Sequence, residues 1–208
     1  PPGQEHPTQN PYDMFPEQRT YSEWLKSTFA TDGVAFKDGR FGGNHPTGVM
    51  KSCQDCHMPR VEGGGCAFWE TPPFFPRPDI PLHGFNGGNT WVIGAIRDML
   101  GEEADFYGLT QERVDAAVAR TIDMLRAASD MELTQVDDQL QVRVINYSGH
   151  KLPTGYPEGR RMWLNVKFLD ADDNLIAEHG AYDFDEATLD ESSTKVYKAD
   201  HGMDENIA

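Results

Sequence analysis

The stretch from residue 31 to residue 89 constrains the fold most. It holds more than half of the chain's glycines and half of its prolines, and it shows no sustained helical or strand period. A run of that length does not pack as a bare loop in a compact domain, because its backbone polar groups and its ordering entropy both need compensation. Something other than an ordinary apolar core must organise it. Composition points the same way: hydrophobic residues make up only 38% of the chain, and the mean hydropathy is -0.61.

Inside that stretch lies Cys53-Gln54-Asp55-Cys56-His57, a C-x-x-C-H pentad. Two thiols about one turn apart can add across the two vinyl groups of one porphyrin. A histidine directly after the second thiol is then held beneath the iron as an axial ligand. The spacing therefore reads as the attachment site of one covalent haem c. Two other readings compete. A thiol–disulfide redox pair would want a thioredoxin-like βαβ context, which the pattern lacks. A zinc knuckle would need two further ligands, which Cys66 and His83 can supply. A haem also answers the packing problem, since a tethered porphyrin offers a large apolar surface for residues 31–89 to wrap. Phe36, Phe41, Phe68, Trp69, Phe74, Phe75 and Phe85 are the expected packing partners, either against the macrocycle or against one another.

Outside that segment the periods are ordinary. Residues 1–20 are Pro/Asn/Gln-rich and read as irregular. Tyr21–Phe29 suits a short helix, and Thr90–Leu100 a second. Thr110 is a good N-cap for a third, with Val114, Val118, Thr121, Ile122 and Leu125 on one face and an end near Ser129. The period then becomes two. Leu140, Val142 and Val144 alternate with Gln141, Arg143 and Ile145, and Met162, Leu164, Val166 and Phe168 with Trp163, Asn165 and Lys167. Asp170–Asn174 reads as a turn, and Leu175–Tyr182 as the returning strand. The expected fold is α+β: an irregular and helical haem-binding region with two or three helices over residues 1–132, then a small antiparallel, sandwich-like β domain over 133–208. The boundary is expected near residues 130–138. The chain opens on Pro1-Pro2-Gly3 and stops at Ile207-Ala208 soon after a strand-like stretch, as expected of a processed chain or of a piece of a larger one whose β domain continues beyond it.

The formal net charge is -16, and the segment from Asp170 to Ala208 carries ten of those charges. Such a surface repels phosphate backbones, which argues against nucleic-acid binding, and the acidic end reads as a solubilising face. No apolar run approaches bilayer-spanning length.

The run Ser52-Cys53-Gln54-Asp55-Cys56-His57-Met58-Pro59 resembles the haem-binding segment of multihaem c-type cytochromes, in which Met-Pro often follows the ligand histidine. The run from Asp79 to Trp91, with His83 ahead of a Gly-rich turn, resembles the segment downstream of that motif. Asn146-Tyr147-Ser148-Gly149-His150-Lys151-Leu152-Pro153-Thr154-Gly155, followed by Arg160-Arg161-Met162-Trp163-Leu164, resembles the Gly-His-Lys-x-Pro-Thr-Gly block that opens a β domain in large secreted members of the family. Together the blocks cover roughly residues 55 to 170. The chain departs from the family in having a single C-x-x-C-H, so further haems would come from other segments or chains. The resemblance implies a periplasmic or extracellular protein whose partners are redox proteins or other cytochrome subunits, in a homo-oligomer or a larger complex.

The sixth iron ligand is open at this level. His83, in a Gly-flanked loop, and His150, in a Gly/Pro turn, are the leading candidates, so His57 and His83 are the first choice of iron ligands. His45 and a methionine follow, Met58 being badly placed because it abuts His57. Either His83 or His150 can instead serve a haem that this chain does not carry. Bis-histidine ligation would favour a low potential. Electron transfer is the leading function. A haem enzyme reducing a small nitrogen, sulfur or peroxide substrate would need an open iron site beside a cationic residue such as Arg60, Arg77 or Lys151. A structural subunit, with the haem as a fold staple, is the third reading. Cys66 is left over, as a buried thiol or an intermolecular bridge. Asp170–Leu175 starts like a calcium-binding loop but lacks its sixth-position Gly and twelfth-position Glu, which leaves a polar hairpin turn.

Overall fold

The computed structural model describes residues 18–65 and 76–200. Helices and antiparallel strands both occur, so the chain is α+β in the coarse sense. The chain divides into two compact units, Trp24–Gly149 and Pro1–Glu23 with His150–Ala208. Residues 130–138, where a boundary was expected, lie in a strand of the first unit and the turn that follows it.

The expected helix over Tyr21–Phe29 is two short ones, α1 (Thr20–Leu25) and α2 (Thr28–Thr31). Ser27 interrupts them: its backbone is extended, and its hydroxyl takes the Trp24 carbonyl at 2.6 Å. A serine side chain that competes for a helix carbonyl is a local stop signal. Beyond α2 the irregular stretch is organised by short pairings. β1 (Val34–Ala35) pairs with β2 (Val49–Met50), and β3 (Arg60–Gly63) with β4 (Arg77–Pro81), both antiparallel, while α3 (Cys53–His57) sits between β2 and β3. The 42–44 turn is clamped to β3, with Arg60 N–H donating to the Gly42 carbonyl at 2.9 Å and Asn44 N–H to the Arg60 carbonyl at 2.8 Å. Gly43 has φ +56°, and a Cβ there would collide with the Arg60 carbonyl, so only glycine allows this approach.

The core of this unit is small and aromatic. Phe29, Phe41 and Met50 are buried, with Trp24, Val34, Phe36, Cys56, Met124, Ala127 and Tyr147 packed against them. Phe36 meets Phe41 and Tyr147 edge-on at 5.1 and 6.1 Å. The Arg40 guanidinium lies 4.0 Å over the Tyr147 ring and reaches Asp130 at 2.9 Å, a cation–π contact joined to an ion pair. Phe36 and Phe41 thus pack against the protein's own core. Phe85 is 67% exposed, and Phe68, Trp69, Phe74 and Phe75 lie outside the described residues.

α4 (Val92–Leu100) and α5 (Gln111–Ala127) fall where the periodicity placed them. The Thr110 hydroxyl accepts from Arg113 N–H at the start of α5, and Val114 and Thr121 are buried on its inner face. α5 is followed at once by β5 (Ser129–Val136), which pairs along its whole length with β6 (Gln139–Asn146) around a two-residue turn. β5 was not expected, although Met131 and Leu133 alternate with the polar Asp130, Glu132 and Thr134. One hairpin face sets Met131 opposite Val144 and Leu133 opposite Val142.

In the other unit the expected strand over residues 162–168 is two strands in different sheets. β7 (Arg161–Trp163) pairs with β12 (Val196–Lys198), and β8 (Val166–Leu169) with β9 (Leu175–His179). The two strands part at Leu164 and Asn165, where the Asn165 side-chain amide donates to the Gly180 carbonyl at 2.9 Å and to Glu178 Oε1 at 2.7 Å. Gly180 has φ +73° and lies so close to the Leu164 carbonyl that a Cβ would collide with it. β10 (Tyr182–Asp183) and β11 (Thr188–Leu189) form a last short pair. Every sheet among the described residues has two strands.

Candidate functional site

α3 is a single helical turn, too short to persist without a cap. Ser52 and Asp55 supply a reciprocal one. Asp55 N–H donates to Ser52 Oγ at 3.4 Å, and Asp55 Oδ2 accepts from Ser52 N–H at 2.8 Å and Lys51 N–H at 3.0 Å. Burial pushes the Asp55 carboxyl up, but the hydrogen bonds from Ser52 and Lys51 and the neighbouring His45 prevail and hold it below its ordinary value. The turn carries Cys53 and Cys56 three residues apart, both as free thiols, with Cys53 exposed and Cys56 packed on the aromatic core. Burial, then the charges of Asp55 and Cys53, push the Cys56 thiol up to about 12. A thiol so protonated at neutral pH lacks the lowered pKa typical of a redox-active C-x-x-C pair.

His57 ends the turn. Its Nδ1 contacts the carbonyl oxygen of Asn86 closely, and Asn86 N–H donates back to the His57 carbonyl at 3.1 Å. A carbonyl can only accept, so Nδ1 carries the proton, and in the neutral ring Nε2 holds the lone pair. A histidine that binds a metal through Nε2 commonly donates its Nδ1 proton to a carbonyl in this way. Leu82 N–H donates to the Pro59 carbonyl at 3.0 Å, so residues 82–86 run beside 57–59 on the Nδ1 side of the ring. Phe85 at φ +46° and the buried Asn86 complete the turn that delivers this carbonyl. Sequence reading missed Asn86; the Gly-rich segment around it was the only signal.

His83 lies in this same segment, exposed, with its ring 6.0 Å from Phe85. His45 Nε2 lies 3.3 Å from Asp55 Oδ1, and its Nδ1 faces Thr47. Among the described residues no three His, Cys, Asp or Glu side chains gather as a metal centre, and Cys66, the other zinc candidate, lies outside them. Arg60 Nη1 donates to the Asp79 carbonyl at 3.2 Å, and Arg77 stands 3.9 Å from the Asp79 carboxylate, so both cations are engaged along β3 and β4.

His150 belongs to the other unit. Its Nδ1 lies 3.0 Å from the Lys151 carbonyl, which again puts the proton on Nδ1 and the lone pair on Nε2. The block that follows folds around Glu23: Oε2 accepts from Lys151 N–H at 3.0 Å and from Thr154 Oγ1 at 2.8 Å, and Thr154 Oγ1 also meets Thr20 Oγ1 at 3.0 Å. Glu23 carried no signal in the sequence.

The donor set fits one covalent haem c: two thiols on one turn, then an imidazole in the ligand tautomer. Comparison with protein-family models, curated proteins and solved structures finds no match. No helix among the described residues is long and apolar enough to cross a membrane.

Proposed function

We propose that the chain is a c-type cytochrome that passes electrons through one covalently bound haem, as part of a multihaem protein or assembly outside the cytoplasmic membrane. Cys53 and Cys56 tether the group, and His57 binds its iron through Nε2. The observation that carries this reading is the His57 Nδ1 contact with the Asn86 carbonyl, because such a bond fixes ring orientation and raises ligand basicity. When bound, the haem supplies reversible one-electron exchange.

The chain's own residues do the rest. The Ser52–Asp55 cap holds the tethering turn, Asn86 aims the imidazole, and the Phe29–Phe41–Met50 core anchors Cys56. A second histidine would complete bis-histidine ligation, with His83 and His150 as the candidates. His150 is in the ligand tautomer, while His83 shares the segment on the Nδ1 side of His57. Redox proteins or other cytochrome subunits are the partners.

The test is expression of the whole chain with a haem c maturation system, followed by intact mass and visible spectra. A mass gain of one haem and a low-spin spectrum unchanged by carbon monoxide are expected. Absence of haem absorbance would overturn the reading in favour of the zinc knuckle. A high-spin ferric band, or a carbon monoxide adduct, would overturn outer-sphere transfer in favour of an open-site enzyme. Substitution of His83 or His150 by Met then identifies the opposing ligand by the accompanying rise in potential.

A further inference from the structure

Resting on the electron-carrier reading, we propose that His45 is a positioning residue for the haem-tethering turn and not a ligand of its iron. The two nitrogens of its ring are already committed. Backbone N–H groups can only donate, so Nδ1, 3.4 Å from Thr47 N, is the acceptor. In the neutral ring the proton then sits on Nε2, which lies 3.3 Å from Asp55 Oδ1. Both side chains are only 12% exposed.

Asp55 is the third residue of the C-x-x-C-H pentad. One of its oxygens is occupied by the Ser52 and Lys51 amides, and His45 takes the other. The carboxylate is thus gripped from both sides, and its pose sets the first turn of α3 and with it the separation of the two sulfurs. The other end of the connection runs into the core. Thr47 Oγ1 accepts from Val49 N–H at 3.2 Å, and the next residue is Met50, whose side chain is fully buried. His45 therefore couples β2 to the tethering turn. To bind iron through Nδ1 it would have to abandon the Thr47 amide, and to bind through Nε2 it would have to abandon Asp55.

The experiment compares the full chain with His45→Ala and His45→Gln, expressed with a haem c maturation system. Glutamine keeps an N–H donor at the reach of Nε2. With His45→Ala, covalent haem yield is expected to fall several-fold, and amide exchange at Lys51 and Ser52 to quicken about tenfold, the scale of one lost hydrogen bond to a charged group. His45→Gln restores most of both. Whatever haem is attached keeps the wild-type low-spin spectrum in every variant. A high-spin spectrum in His45→Ala would overturn the inference by making His45 a ligand. Equal exchange at Lys51 and Ser52 in all three proteins would overturn it by removing the positioning role. If the wild-type chain takes up no haem, the electron-carrier reading fails separately, and the exchange comparison still decides whether His45 holds the turn.

Discussion

Asp55 and Glu23 each hold one histidine-bearing segment, the turn that ends at His57 and the turn that follows His150, and they work over different distances along the chain. Asp55 closes its own helical turn through Ser52, three residues away. Glu23 reaches Lys151 and Thr154, 128 and 131 residues further on. The first arrangement is local, so it can form as soon as the turn forms. The second needs its unit assembled before the carboxylate meets its donors. The contrast suggests that the tethering turn can present its thiols early, whereas the His150 turn takes shape only on folding.

The largest effect that probes this contrast is on the tether itself. Replacing Cys53 and Cys56 together by Ala is expected to abolish covalent haem, read by haem staining under denaturing conditions, while the His150 turn keeps its amide protection. Covalent haem in the double variant would refute the tether assignment. Next, Glu23→Ala removes one acceptor from two donors and is expected to cost about 1–3 kcal/mol of local stability. Hydrogen exchange at Lys151 measures it, with Glu23→Gln closer to wild type and no change at Lys51. Equal acceleration in both blocks would mean that the two are not independent. Ser52→Ala removes the local cap and is expected to cost about 1 kcal/mol, seen as faster exchange at Asp55 and a lower haem yield.

The smallest effect is a control, a carboxylate that is both local and exposed. The Ser192 and Ser193 hydroxyls, then the Ser192 amide, hold the Asp190 carboxyl down to about 2, below its ordinary 3.8. The folded value is depressed, so the contribution is complete above about 4 and lost as pH falls towards about 2. A chemical-shift titration of the Ser192 amide should show that midpoint. A midpoint at or above 3.8 would show that the turn does not hold the carboxylate in solution.

Legibility followed the same local-versus-remote divide. α4, α5 and β6 were readable because their periods are carried by near neighbours in sequence, and α5 has its cap, Thr110, three residues from the Arg113 amide it accepts from. The Asp170 turn was readable too, with its carboxylate taking the Asp172 and Asn174 amides two and four residues on. The break at Asn165 was not, because the contacts found there reach the Gly180 carbonyl, remote in sequence. β5 was missed because it begins only two residues after α5 ends, and its alternation was read as boundary. At the candidate site the pentad was visible at once, but Asn86 and Glu23 were invisible. Neither has a side-chain type or a spacing that announces its role; Asn86 acts through its main chain.

By itself, the sequence determined the candidate donor set: which two thiols stand three residues apart, which imidazole follows them, and which helices and strands the periods allow. Those properties depend on residue type and short spacing, which the unfolded chain already has. Only the tertiary structure decided the tautomers of His57 and His45, the burial of Cys56, the use of Phe36 and Phe41 in the protein's own core, and the pairing of Glu23 with the His150 block. Each of these depends on which carbonyl, amide or ring lies a few ångströms away in space, and residues far apart in sequence become such neighbours only when the chain folds.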